Sequence, residues 1–151
     1  EKGIVVYPGA QLTAHDLTVS HTQPIECSLD DSCPQWMQDR NYQGGFGVLN
    51  LGSNVWLSDF KIHDNHSVGL IIYEVTGDEW GDVPASVPRF YGEYGLIIHN
   101  EIGINIQWHQ PEPFDLDQAF WETLCYDNYS RDLDYSEMPL PDPSMYDVGI
   151  E

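Results

Sequence analysis

The chain has 151 residues, enough for one domain, and its 41% apolar and 13% aromatic content can fill a core, which a disordered acidic tail could not do. Its 25 acidic residues against 5 Lys and Arg leave a formal charge of -20, which excludes nucleic acid and anionic lipid surfaces as partners. No run approaches the ~20 apolar residues of a membrane span, so no membrane insertion is expected.

The first feature along the chain is a short phrase, Gly3-Ile4-Val5-Val6, which returns as Gly45-Phe46-Gly47-Val48, Gly69-Leu70-Ile71-Ile72 and Gly103-Ile104-Asn105-Ile106. Each copy reads glycine, apolar, variable, apolar. Laying Gly9 on Gly52 also aligns Gly9–Val19 with Gly52–Ile62, and the glycine, an aspartate (Asp16 with Asp59) and the apolar positions coincide. A pattern that recurs with loops of different length between its copies marks a solenoid. Leu12, Ala14, Leu17 and Val19 fall on one strand face, as do Val55, Leu57, Phe60 and Ile62, while Thr13, Thr18, Trp56 and Lys61 fall on the other. No stretch between residues 1 and 107 sustains the apolar spacing of a helix. Two β runs split by a polar corner, then Gly and another β run, describe one rung of a parallel β-helix. The segments starting at Ile62-His63 and Ile98-His99 each continue to an asparagine and a glycine, which puts Asn65 and Asn100 at equivalent corners.

On these residues the chain resembles right-handed parallel β-helix proteins of the pectate-lyase-like superfamily, whose corner asparagines stack along the coil. Asp16-Leu17-Thr18-Val19-Ser20-His21-Thr22-Gln23-Pro24, a cysteine-bearing loop, Gly44-Gly45-Phe46-Gly47, Asn65-His66-Ser67-Val68-Gly69 and Met138-Pro139-Leu140-Pro141 look like the C-terminal part of large β-helix surface proteins of myxobacteria and related predatory bacteria. The resemblance covers most of residues 1–107. It implies an all-β fold, a right-handed parallel β-helix solenoid with long loop insertions, and an extracellular or cell-surface setting, but its motifs specify a scaffold and no activity. Rungs are expected at about residues 3–44, 45–68, 69–102 and 103–110, giving a β-helix over 1–110 and an irregular C-terminal cap with an acidic tail over 111–151. The first rung phrase follows Glu1-Lys2 directly, so the expectation is the end of a longer solenoid. Its open edge would seek the rest of a longer β-helix chain or another subunit.

Cys27 and Cys33 share an acidic loop and are expected to close a disulfide in an oxidising compartment, since two cysteines without a nearby His pair lack the ligand count of a structural zinc. Cys125 is left over. Residues 74–84, rich in acids and turn formers, are expected to leave the coil as a surface loop. From Pro111 the pattern is lost, and Phe114–Leu124 is predicted as a short helix, with Leu116, Phe120, Trp121 and Leu124 on one face, capping the last rung.

Glycosidases and lyases built on such coils carry carboxylates or calcium on an outward strand face. Here the outward residues of the first sheet are Val5, Tyr7, Gly47, Leu49, Ile71, Tyr73, Asn105 and Gln107, and none is charged, which counts against an enzyme. A second outward face sets Thr18, Lys61 and Ile97 in one row and Ser20, His63 and His99 in the next. His63, His99 and Asp64 are thus candidates for a divalent metal site, or else surface histidines at a corner. His15 and His21 have no partner on the same row. Clustered carboxylates leave calcium open beside a plain solvated acidic surface, and no other cofactor is expected. Trp56, Tyr73, Trp80 and Tyr91 are the candidates for binding, offering aromatic faces to a carbohydrate or a protein, unless they pack under the insertions. The expectation is a non-enzymatic structural, recognition or assembly segment, and the alternative is the C-terminal part of a carbohydrate-active β-helix enzyme.

Overall fold

Short strands that alternate apolar and polar residues, joined by tight polar corners, can bury their apolar faces by winding into a coil and stacking turn upon turn. A computed structural model, which describes residues 3–23, 45–77 and 84–137, shows this coil. Its strands are β1 Ile4–Val6, β2 Gln11–His15, β3 Thr18–Ser20, β4 Val48–Leu51, β5 Asn54–Ser58, β6 Lys61–His63, β7 Val68–Tyr73, β8 Arg89–Glu93, β9 Leu96–Ile98, β10 Ile102–Gln107, β11 Phe120–Trp121, β12 Leu124–Tyr126 and β13 Arg131–Asp134, with a helix, α1, at Leu116–Ala119. Every third strand stacks on the last. The first sheet is β1-β4-β7-β10-β13, the second β2-β5-β8-β11 and the third β3-β6-β9-β12, and every pairing within them is parallel. The chain is an all-β parallel β-helix.

Inward side chains stack in rows to form one core. Val48, Leu70 and Ile104 come from the first sheet, Val55 and Phe90 from the second, and Val19, Ile62 and Ile97 from the third. At the corner between the third and first sheets a hydrogen-bonded ladder runs through the rungs. Thr22 donates from its backbone N (3.3 Å) and hydroxyl (2.9 Å) to Asn65 Oδ1, and Asn65 donates from N (3.1 Å) and Nδ2 (2.9 Å) to Asn100 Oδ1. Asn100 does the same to Asn128 Oδ1 at 3.0 Å twice, and Asn128 to Asp132 Oδ1 at 3.2 and 2.8 Å. The ladder has a direction, and it stops at a carboxylate that accepts but has no proton to pass on. The recurring glycine answers first to the backbone of the neighbouring rung, since a Cβ on Gly3, Gly47 or Gly69 would sit 1.8, 2.5 or 2.8 Å from the carbonyl oxygen of Gly47, Gly69 or Gly103, and then to the ladder. A Cβ on Gly47, Gly69 or Gly103 would sit 2.9, 2.7 or 2.6 Å from the Nδ2 of Asn65, Asn100 or Asn128, so these glycines are required for close approach.

At the second copy of the repeated phrase the structure pairs Ile4 with Val48, so Gly47 and not Gly45 stands in the row of Gly3, Gly69 and Gly103. The structure departs from the sequence-based expectation in three further places. The pattern thought lost at Pro111 resumes as β11, β12 and β13, which add a further turn to all three sheets. The predicted helix is confined to Leu116–Ala119, capped by the Asp115 side chain accepting from Gln118 N. It ends there because Phe120 pairs with Gly92, whose missing side chain leaves room in the core, and packs 5.1 Å from the Phe90 ring. Third, the register of the third sheet pairs Lys61 with Leu96 and His63 with Ile98, so Ile97 points inward and is fully buried. The row proposed from sequence was shifted by one residue at this rung, and such a slip exchanges inside for outside.

The outward face of the first sheet is also closed. Leu49, Leu51, Ile71 and Tyr73 are buried in a second apolar cluster with Val68 and Val75, so the chain itself covers this face. At its C-terminal end the covered row turns polar. Asn105 donates to Asp134 Oδ2 (2.9 Å), Gln107 to Asn105 Oδ1 (3.0 Å) and Arg131 to Asp134 Oδ1 (2.7 Å). Burial pushes the Asp134 carboxyl up, but hydrogen bonds from Ser136, Arg131 and Asn105 outweigh it and hold the group below the usual range. Cys27, Cys33 and Trp80 lie outside the described residues, as does the Met138–Pro141 segment. Among the described residues Cys125 is a free thiol, and burial raises its pKa to about 12. No helix among them is long and apolar enough to cross a membrane.

Candidate functional site: an aromatic groove on the second sheet

With the first sheet covered, the second and third sheets keep open outer faces, and a groove lined by aromatic rings lies on the second. Its outward rows follow from the register: Thr13, Trp56 and Tyr91 in one, His15, Ser58, Glu93 and Trp121 in the next. Trp56 and Tyr91 stand on adjacent rungs with ring planes 10° apart and centroids at 5.9 Å, so each ring holds the other in place. Trp121 is 60% exposed at the end of the following strand. Together with Thr13, Ser58, Glu93 and Gln118 they line a groove of about 340 Å³. A second groove of about 420 Å³ continues past Tyr91 and Gln118 to Arg89, Trp108, Glu112, Phe114 and Asp115. Trp108 is fixed there by an edge-on contact with Phe114 at 5.1 Å and by its indole N–H donating to Glu112 O at 2.6 Å.

The candidates named from sequence therefore separate. Trp56 and Tyr91 meet in the groove, whereas Tyr73 is buried on the covered face of the first sheet and presents no surface to a ligand. Trp121, Glu93 and Gln118 were not singled out from sequence. In the structure Asp16, Asp59, Tyr94 and Glu122 all have positive φ at the corner that follows, and counting back from each sets Trp121 beside Glu93; only two of the four are aspartates, so the sequence marks this corner weakly and gives no sign of Gln118.

The histidine corner is more populated than the sequence suggested. His21, Asp64, His99 and Asp127 occupy one positive-φ row immediately before the ladder, with φ of 57, 53, 56 and 53°. Asp and His tolerate this backbone better than bulkier residues do. Asp64 Oδ2 lies 2.5 Å from His63 Nδ1, Asp64 Oδ1 lies 3.8 Å from His99 Nδ1, and the His21 ring meets the His63 ring edge-on at 5.8 Å. The His63 hydrogen bond, reinforced by the charges of His63, His99 and His21, lowers the Asp64 pKa against a smaller opposing effect of desolvation. Strand rows alone give His21 no partner; the shared corner is what brings it in. Even so, among the described residues no group of three or more His, Cys, Asp or Glu is arranged to hold a metal ion. On the second sheet His15 Nδ1 lies 3.0 Å from Ser58 Oγ and 3.2 Å from Asp59 Oδ2, so one ring nitrogen serves both partners and the two-sided relay of a nucleophilic triad is not formed.

Compared with protein-family models, with curated proteins and with solved structures, the chain matches none.

Proposed function

We propose that this chain is a non-enzymatic recognition segment of an extracellular or cell-surface β-helix protein, and that it binds carbohydrate along the outer face of the second sheet. The observation that carries the reading is the groove itself, in which Trp56, Tyr91 and Trp121 offer apolar ring surface beside the polar side chains of Thr13, Ser58, Glu93 and Gln118. Sugar rings have apolar C–H faces and hydroxyl rims, and they need both kinds of contact. A β-helix enzyme of the pectate-lyase-like kind is less well supported, because glycosidic cleavage uses two facing carboxylates and Glu93 is the one acid lining this groove among the described residues. The corner asparagine ladder supports the kinship with that superfamily, and the Cys27 and Cys33 spacing supports an oxidising compartment and a disulfide.

The test is titration of neutral oligosaccharides, including N-acetylglucosamine oligomers, followed by tryptophan fluorescence, with Trp56→Ala and Trp121→Ala compared with the parent chain. Binding that both substitutions weaken supports the reading. Binding indifferent to both, or reproducible cleavage abolished by one Asp, Glu or His substitution, overturns it.

A further inference from the structure

The ligand class can be narrowed by charge, on the basis of the recognition reading above. Within the first groove Glu93 is the single charged side chain, set between Ser58 and Trp121 on one outward row and next to the Trp56–Tyr91 stack. Its carboxylate makes no ion pair with any described residue. The adjoining groove adds Glu112 and Asp115 against one cation, Arg89. Both grooves therefore combine aromatic rings with net negative charge inside a surface of formal charge -20. That combination is unfavourable for uronates and other anionic sugars. It is favourable for a protonated amine, which gains from the negative face of an aromatic ring and from a carboxylate at the same time.

We infer that the groove selects amino sugars with free amines, a glucosamine-type oligomer in preference to its N-acetylated counterpart, and that Glu93 is the residue that reads the amine. Acetylation replaces the ammonium by a neutral amide while keeping the ring and its hydroxyls, so the ratio of the two affinities isolates the charge contribution.

The experiment titrates the full chain with a glucosamine oligomer and with the N-acetylglucosamine oligomer of equal length at about pH 6, where the amines are protonated. The glucosamine oligomer is expected to bind about fivefold tighter at low ionic strength, the size of one exposed ion pair assisted by an aromatic ring. That preference is expected to fall towards unity at about 1 M salt. Glu93→Gln should cut the preference well below that of the parent chain and Glu93→Lys should cut it further, whereas Glu101→Gln, which neutralises an acid outside both grooves, should keep it. Equal affinity of the parent chain for the two oligomers overturns the inference, as does a preference that Glu93→Gln lowers no more than Glu101→Gln does, while leaving glycan recognition standing. Failure of both oligomers and of every neutral glycan to bind removes the recognition reading and this inference with it.

Discussion

The first and second sheets are made of the same rungs and carry the same inward rows, yet their outer faces have opposite fates. In the first sheet β4 and β7 are buried at every position, and the outward row Leu49 and Ile71 is as dry as the core. In the second sheet β5 alternates strictly between intermediate and buried positions, and its outward row Trp56 and Tyr91 opens to solvent. The difference teaches where function can lie on a coil of this kind. The absence of charge on the first sheet, which from sequence counted against catalysis, describes a covered surface and carries no information about a ligand site.

The sharpest way to break this comparison is a matched pair of substitutions. Ile71→Asp on the covered face should cost about 4 kcal/mol or more and prevent cooperative folding, since it buries an unpaired charge. Thr13→Asp on the open face should change stability by about 0.5 kcal/mol or less. Urea unfolding followed by circular dichroism reads both, and similar losses would mean that the two faces are equally covered. Asn100→Ala should be next in size, at about 3 kcal/mol, because it leaves the Asn65 N–H and the Ile98 carbonyl without their partner inside the ladder. Gly69→Ala should also destabilise, by crowding the same amide and the Gly103 carbonyl oxygen, and the double variant should lose somewhat less than the sum of the two single losses, because only the clash with the amide is relieved.

On the open face, Trp56→Ala should lower affinity for a bound glycan about tenfold and shift the melting temperature by only a few degrees. A large stability loss would assign Trp56 to packing instead. A smaller effect belongs to the histidine corner. The Asp64 carboxyl has a lower pKa folded than unfolded, so its contribution to stability is complete above the ordinary carboxylate range and drains away as pH falls through the lowered value. Asp64→Asn should therefore reduce stability at neutral pH and flatten its fall on acidification below about pH 4, as measured by thermal melts across pH. The smallest effect concerns Cys125. With its pKa raised to about 12, the thiol should react with iodoacetamide much more slowly than a small free thiol at neutral pH, and rapid labelling would contradict its burial.

Much of the coil was legible in the chain itself. Gly3, Gly69 and Gly103 mark the start of their turns, and Leu12, Val55 and Ile62 already declare the inward face, because strand periodicity and close approach are local demands that leave a local trace; at the second turn two glycines compete, and the alignment on Gly45 is two residues out, since the structure puts Gly47 in the row. The equivalence of Asn65 and Asn100 was visible for the same reason. The return of the coil at β11 was not, since those strands are only two or three residues long and the residues before them read as helix. The third-sheet register was missed at Ile97 because the repeated Ile-His pair invited alignment by identity, whereas the structure aligns by the corner.

What the sequence determined alone is the parallel coil: a fixed phrase of glycine and alternating apolar residues, repeated with variable loops, has few ways to bury itself other than stacking. Tertiary structure decided which outer face stays open and which side chains share it. Trp56, Tyr91, Glu93 and Trp121 come from three different rungs, and what brings them together is strand register across those rungs. Register depends on corners and loops far apart in the chain, so no local pattern encodes it, and covering one face while leaving another bare is a property of the folded surface as a whole.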